Sequence, residues 1–236
     1  MKSPLAAPRA LRKEPLLDAW DALNAEIIAC RECPRLVAWR EEVARAKRRA
    51  YRDWEYWGRP VPGFGDRHAR IVIVGLAPGA HGSNRTGRMF TGDSSGATLY
   101  GALYRAGFAN QPTWERADDG LVLRDVFITA VGRCSPPANK PTREELHACR
   151  HFLERELALL PVEKVLALGR IAFEGLLELW RDQGHAIPTL PFAHGARYVL
   201  GDGLPQLHAS YHPSRQNTQT GRLTLEMFDA VFANLG

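Results

Sequence analysis

The sequence predicts an α/β fold: one domain with a central, mostly parallel four-stranded sheet flanked by helices, preceded by a cysteine-bearing helical and loop region. Two observations carry this. Four short apolar runs, 71–74 (IVIV), 126–131 (VFITAV), 164–168 (KVLAL) and 206–210 (QLHAS), are separated by longer stretches with helical spacing. The first three runs are continuous rather than alternating, the pattern of strands buried on both faces. Alternation of this kind builds a parallel sheet by crossover helices. In such sheets ligands lie beyond the carboxyl ends of the strands.

In chain order, residues 1–15 read as a basic, Pro/Ala-rich tail and 16–236 as the domain. Apolar residues at helical spacing (Leu16, Leu17, Trp20, Leu23, Ile27) predict a helix over 16–29. Pro34 suits the first turn of a second helix, whose basic end, AKRRAYR, reads as solvated. The segment 56–66, YWGRPVPGFGD, is broken by Pro and Gly and predicts a loop. Crossover helices are expected over 97–106, 143–160 and 171–181, an edge strand over 198–200, and a closing amphipathic helix over 223–233. No internal repeat is present.

Three loops leave strands at the carboxyl edge. GLAPGAHGSNRTGRMFTGDSSG (75–96) carries six glycines, GRCSPPANKP follows the second strand, and YHPSRQNTQTG follows the fourth. The first is not a phosphate cradle of the usual kind, because it has neither the Gly-Lys-Ser/Thr of a P-loop nor G-x-G-x-x-G. A nucleotide hydrolase built on it would lack the lysine and the Mg²⁺-binding hydroxyl.

Lys and Arg number 31 against 26 Asp and Glu, for a net charge of +5. That sign suits a polyanionic partner without naming one. No run approaches a membrane span, and the N-terminus has no signal-peptide core, so a cytoplasmic protein is expected. In that compartment the four cysteines read as ligands or buried thiols rather than disulfides. Cys30 and Cys33 form a C-x-x-C pair, with Cys134 and Cys149 a hundred residues on. Structural zinc and an iron–sulfur cluster both use such a set, and composition alone does not choose between them.

Taken together, YWGRPVPGFGD, GLAPGAHGSNRTGRMFTGD, the cysteine spacing and HPSRQNTQTGRLT resemble the uracil-DNA glycosylase superfamily, and within it the iron–sulfur branch known as family 5. The resemblance runs from about Cys30 to the end of the chain. It implies a DNA-repair enzyme, a monofunctional glycosylase that hydrolyses the N-glycosidic bond of uracil and leaves an abasic site. It also implies a structural [4Fe–4S] cluster on Cys30, Cys33, Cys134 and Cys149, and no nucleotide cofactor. The expected partner is damaged DNA, met by a monomer that associates with the nucleoid in a prokaryote.

Such an enzyme draws its base out of the duplex into a tight pocket. Glycines let main-chain groups approach the base where a β-carbon would collide. By resemblance, Gly75, Leu76, Ala77 and Gly79 line the pocket and Phe90 stacks on the extruded ring. His212 would donate to a carbonyl oxygen of the departing base. Ser214, Arg215, Gln216 and Arg222 would contact DNA. His208, on the last strand, reads as a packing residue.

Two positions depart from relatives. A carboxylate or amide often follows the loop's first glycine, and here that place holds Leu76. An asparagine that reads the uracil edge is replaced by Ala130. Both fit family 5 rather than a uracil-restricted family-4 enzyme, and both imply relaxed specificity extending to hypoxanthine. The catalytic water then has two candidate handlers, Asn139 and Asp93. Asp93 equally suits the N-cap of the helix that follows. A non-catalytic, metal-stabilised nucleic-acid-binding module with the same fold is a further reading; Phe90 and His212 argue against it, since a binder needs neither.

Overall fold

The computed structural model describes residues 18–201 and 203–236. The predicted tail, Leu16 and Leu17 lie outside the described residues. Helix α1 (Ala19–Ala29) begins where the Asp18 side chain accepts from Asp21 N–H at 2.8 Å, a standard N-cap. Helix α2 (Pro34–Ala46) opens on Pro34 and ends where Lys47 turns to φ +53°. The basic segment after it is therefore no helix end but a separate 3₁₀ turn, Arg49–Tyr51.

Four parallel strands form the centre: β2 (Ile71–Gly75), β3 (Val126–Ala130), β4 (Lys164–Leu168) and β6 (Gln206–Ser210). Two antiparallel pairs, β1 (Phe64–Gly65) and β5 (Arg197–Tyr198), extend the edges to the order β1-β3-β2-β4-β6-β5. The predicted four-stranded sheet is thus this parallel centre. The segment read as a plain loop over 56–66 contributes the β1 edge, through Phe64 opposite Ile128. Helices α3 (Ser83–Thr86), α4 (Ser94–Arg105), α5 (Arg143–Leu159), α6 (Arg170–Asp182), α7 (Arg215–Gln219) and α8 (Leu225–Ala233) complete the domain. Among the described residues no helix is long and apolar enough to cross a membrane.

The continuous apolar runs divide by the two-residue period of a strand. Ile71, Ile73, Ile128 and Leu166 face a core with α4 and α8, which supply Leu99, Tyr100, Leu103, Phe228 and Phe232. Val72, Val74, Phe127, Val165 and Ala167 face the opposite core with Trp20, Leu153, Phe173 and Leu176. Chain direction across the sheet reverses about β2, with β3 on one side and β4 on the other. This reversal is the point where doubly wound sheets open a crevice.

One charged pair crosses the second core. Arg133 and Glu156 are 1% and 0% exposed and meet through two hydrogen bonds, of 3.0 and 2.6 Å. Glu156 also accepts from the Thr129 hydroxyl at 2.6 Å and from Gly63 N–H at 3.3 Å. Removing one partner strands a buried charge. Glu156→Gln should therefore lower unfolding free energy in urea by about 3–5 kcal/mol. The pair replacement Arg133→Met with Glu156→Leu should cost less than the sum of its parts.

His208 is buried on β6, with Nε2 2.7 Å from Gln206 Oε1, in keeping with a packing role. Burial, aided by the charges of Arg197 and Lys164, lowers its pKa to about 4. As pH falls from 6.5 to 4 the unfolded chain takes up a proton that the folded chain refuses, so stability falls through that window. Urea unfolding at pH 7 and pH 4.5 should show His208→Phe losing less stability on acidification than the parent, by the order of 2 kcal/mol.

Candidate active site

The loops that follow β2, β3 and β6 enclose one cleft of about 730 Å³ at the carboxyl edge of the sheet. Gly75, Leu76, Ala77, Gly79, Phe90, Asp93, Asn139, His212, Ser214 and Arg215 all line it. Ala130, at the end of β3, completes the wall. Gln216 lies on the exposed side of α7. The Arg222 guanidinium covers the Tyr211 ring at 4.6 Å. Neither of these two belongs to the cleft lining.

Phe90 belongs both to the core and to the cleft wall. Its φ of +52° is a left-handed conformation rare for an aromatic residue. That turn brings the ring against Gly75, where a β-carbon would come within 2.8 Å of Cζ. The ring stacks on His212, with centroids 5.8 Å apart and planes at 27°.

His212 is held at both ends of its motif. Upstream, Tyr211 N–H donates to His194 Nδ1 at 3.3 Å and the two rings stack. Downstream, Asn217 Nδ2 donates to the His212 carbonyl at 2.8 Å. Burial alone lowers the imidazole pKa to about 4, so the ring is neutral near pH 7 and carries one N–H donor. Ser214 caps α7 by accepting from Asn217 N–H at 3.3 Å.

Asp93 is the N-cap of α4, its Oδ1 accepting from Ser95 and Gly96 N–H at 3.0 and 3.1 Å. Its second oxygen, Oδ2, has a different setting: a β-carbon on Gly82 would lie 2.3 Å from it and one on Gly79 2.9 Å. The glycines of the loop thus make room for a carboxylate oxygen as well as for a base. Burial raises the Asp93 pKa, against the two amide hydrogen bonds and the charge of Arg85. Cap and cleft carboxylate are one residue using two oxygens.

Asn139 is exposed at the cleft mouth with φ +56°, directly after Ala138 at φ +51°. Two successive left-handed non-glycine residues are costly, and backbone strain of this kind concentrates at functional sites.

Among the cleft residues that sequence reasoning missed are Arg48, Tyr51 and His81. Arg48 and Tyr51, assigned to a solvated helix end, line the cleft because the 3₁₀ turn puts residues three apart on one side. His81 lines it as well, with Nδ1 3.1 Å from the Tyr56 hydroxyl, and burial lowers its pKa. Periodicity carried no signal for a turn this short.

On the far side of the β3 loop, Cys30, Cys33, Cys134 and Cys149 line a single cavity. They arrive from the α1–α2 junction, the segment after β3, and α5. Arg40, 2% exposed, donates from Nη1 to Cys134 Sγ at 2.8 Å and from Nη2 to the Cys30 carbonyl at 3.1 Å. Its Nε has no partner among the described residues. Arg133 N–H donates to Cys149 Sγ at 3.3 Å. Burial pushes the Cys134 and Cys149 thiols up to about 11 and about 12. Among the described residues, no three His, Cys, Asp or Glu side chains converge closely enough to hold a single ion.

Residues 62–236 match the uracil DNA glycosylase superfamily. Over 211 residues the chain is 58% identical to the type-5 uracil-DNA glycosylase of Thermus thermophilus, covering 88% of this chain and 93% of the relative. It is 51% identical over 212 residues to the type-5 enzyme of Mycobacterium bovis, 89% and 78% of the two chains. A type-4 uracil-DNA glycosylase of Pyrobaculum aerophilum shares 37% over 163 residues, 68% and 74% of the two. The cleft that joins the glycine-rich loop to the His-Pro-Ser motif thus has its counterpart in sequence, and the chain belongs to the uracil-DNA glycosylase superfamily, in its fifth family.

Proposed function

We propose that this chain is a monofunctional DNA glycosylase that removes uracil and further deaminated bases, including hypoxanthine. The observation that carries the reading is the stacked pair Phe90 and His212 in the wall of a cleft large enough for an extruded base. An aromatic platform offsets part of the unstacking cost, about 1–3 kcal/mol per base. Leu76 and Ala130 put apolar side chains at the two wall positions where other branches carry polar groups. Discrimination then falls to shape and main-chain groups, and a purine with an added carbonyl meets no unpaired partner.

In the reaction the C1′–N bond breaks with its electron pair going to the base, and a water oxygen bonds to C1′. His212 supplies an N–H donor to the base carbonyl that gathers negative charge, and needs no proton of its own to lose or gain. Asp93 Oδ2 stabilises the cationic sugar and accepts the proton the water gives up. Asn139 orients that water by hydrogen bonds. Arg215 and Ser214 hold the strand at the cleft mouth, and Gln216 and Arg222 reach the duplex beside it.

The four cysteines fit a [4Fe–4S] cluster. Drawn from three chain segments, they surround one cavity, as four thiolates holding such a cluster would. The buried, uncompensated Arg40 guanidinium suits the negative charge such a group carries. Bound there, the cluster supplies a cross-link among three chain segments. In Cys149→Ser, visible iron–sulfur absorbance should be lost and stability should drop by about 4 kcal/mol or more, whether or not activity is assayed.

Base release from a duplex with one uracil opposite guanine, read as alkali-labile strand breaks, tests the activity. His212→Ala should slow release about 10²–10³-fold. A neutral His212 also predicts a rate that is level between about pH 6 and 8 and falls only toward its pKa of about 4; an inflection near 6.5 that vanishes in His212→Ala would overturn that role. Asp93→Ser keeps a capping oxygen, while Asp93→Ala costs about 1 kcal/mol of stability. Both should lose activity alike if the carboxylate acts on the sugar, and recovery in the serine variant would leave Asp93 as a cap only. Strict rejection of hypoxanthine in duplex DNA by an active preparation would count against the broad specificity.

A further inference from the structure

Next to the base cleft lies a second groove of about 410 Å³, lined by Tyr51, Trp54, Trp114 and Arg85. It shares Tyr51 and the Gly92–Asp93–Ser94 wall with the cleft. Arg48, Tyr51 and Trp54 are three residues apart and linked by successive backbone bonds, Tyr51 N to Arg48 O at 2.8 Å and Trp54 N to Tyr51 O at 3.1 Å. They form a ladder that begins in the cleft and ends in the groove. Resting on the glycosylase reading, we propose that this groove is a nucleotide subsite contiguous with the base pocket. It takes the DNA nucleotide flanking the extruded one, with the base among Tyr51, Trp54 and Trp114 and the phosphate beside Arg48.

Charge supports the assignment. Several surface arginines elsewhere, Arg67, Arg70, Arg105 and Arg155 among them, are paired with a carboxylate. Lys47, Arg48, Arg49 and Arg52 have no carboxylate partner among the described residues; Lys47 and Arg52 donate only to backbone carbonyls. Four basic residues within the six positions 47–52, left uncompensated beside a cleft, are an electrostatic seat for a phosphodiester chain. Glu115 also lines the groove, which keeps phosphate at the Arg48 end and leaves the groove itself to a base.

The ladder is rigid. Arg85 lies 4.0 Å from the centroids of both Tyr51 and Trp54 and donates to His81 and Gly92 carbonyls at 2.8 and 2.9 Å. Although 3% exposed, it keeps Nη1 without a partner among the described residues. Arginine and aromatic planes together are what a base stacks on, without regard to its identity.

The test is binding to duplexes with a tetrahydrofuran abasic analogue at the target position, so that no base is released. A second analogue then removes the base on one flank or the other. Wild-type protein should bind about 5- to 100-fold more weakly when one particular flank is emptied and little differently for the other. Trp54→Leu should lose that sensitivity. The triple variant Arg48→Gln, Arg49→Gln, Arg52→Gln, confined to the surface, should lower the slope of log affinity against log salt by about 0.9 for each phosphate contact removed. Equal response to both flanks, or an unchanged salt slope, would overturn the subsite, and those two results stand even where Trp54→Leu fails to fold. Uracil release by the wild type is scored separately, so a failed glycosylase reading and a failed subsite give different results.

Discussion

The arrangement of both sites hangs on the buried carboxylate of Glu156. Two charges sealed from water are tolerable only when each oxygen is fully engaged. Glu156 meets that condition with Arg133, Thr129 and Gly63, donors drawn from the loop after β3, β3 itself, and the segment leading to β1. Because Arg133 is fixed, its backbone is too: its N–H reaches Cys149 Sγ and its carbonyl accepts from Val61 N–H at 2.8 Å. Cys134 follows directly and Asn139 five residues later, so one ion pair sets where the cysteine cavity ends and the cleft begins. Cys149 and Glu156 lie seven residues apart on α5, two turns along one face. The carboxylate and the thiol therefore bind the same loop from the same helix.

The glycine-rich loop answers to a second constraint, the space needed by Asp93 and Phe90. Gly79 and Gly82 leave room for Oδ2, Gly75 for the phenyl ring, and the unfavourable φ of Phe90 is the consequence of turning that ring toward His212. The loop is tied back to the cysteine region as well, since Asn84 Nδ2 donates to the Arg40 carbonyl at 3.2 Å, and the Arg40 side chain donates to Cys134. A change in the thiol cavity is thus mechanically connected to the wall of the base cleft through one asparagine and one arginine.

Much of this was legible in the sequence because it obeys short-range rules. Strands buried on both faces must be almost wholly apolar, and 71–74 and 126–131 are, with Thr129 the one polar residue, its hydroxyl spent on Glu156; the loops at their carboxyl ends converge. Asp93 read as either helix cap or handler of the catalytic water; its Oδ1 caps α4 while the residue also lines the cleft, so the two readings do not compete for one oxygen. What stayed hidden were contacts with no period. Phe64 and Gly65 pair with β3 although Pro and Gly break the surrounding segment. The helix expected to run on through the basic stretch is stopped by a single left-handed lysine, and that stop swings Arg48 and Tyr51 into the cleft. Arg222, read from its motif as a DNA contact, also covers the Tyr211 ring, a packing that no periodicity announces.

Placing Leu76 and Ala130 where other branches carry polar groups changes where selectivity has to come from. A side-chain amide that must pair with its base penalises every wrong base with an unsatisfied polar group. On the proposed reading, Leu76 and Ala130 impose no such penalty at those two positions, and rejection of normal bases falls to the step before the pocket, in the cost of leaving the stack. That cost is least for mispaired and damaged nucleotides. An enzyme that discriminates at extrusion gains from holding the neighbouring nucleotides firmly while the target leaves, since loose flanks would lower the barrier for every base alike. A rigid basic and aromatic ladder beside the cleft, pinned by Arg85 and left without carboxylate partners, is the kind of surface that such discrimination requires.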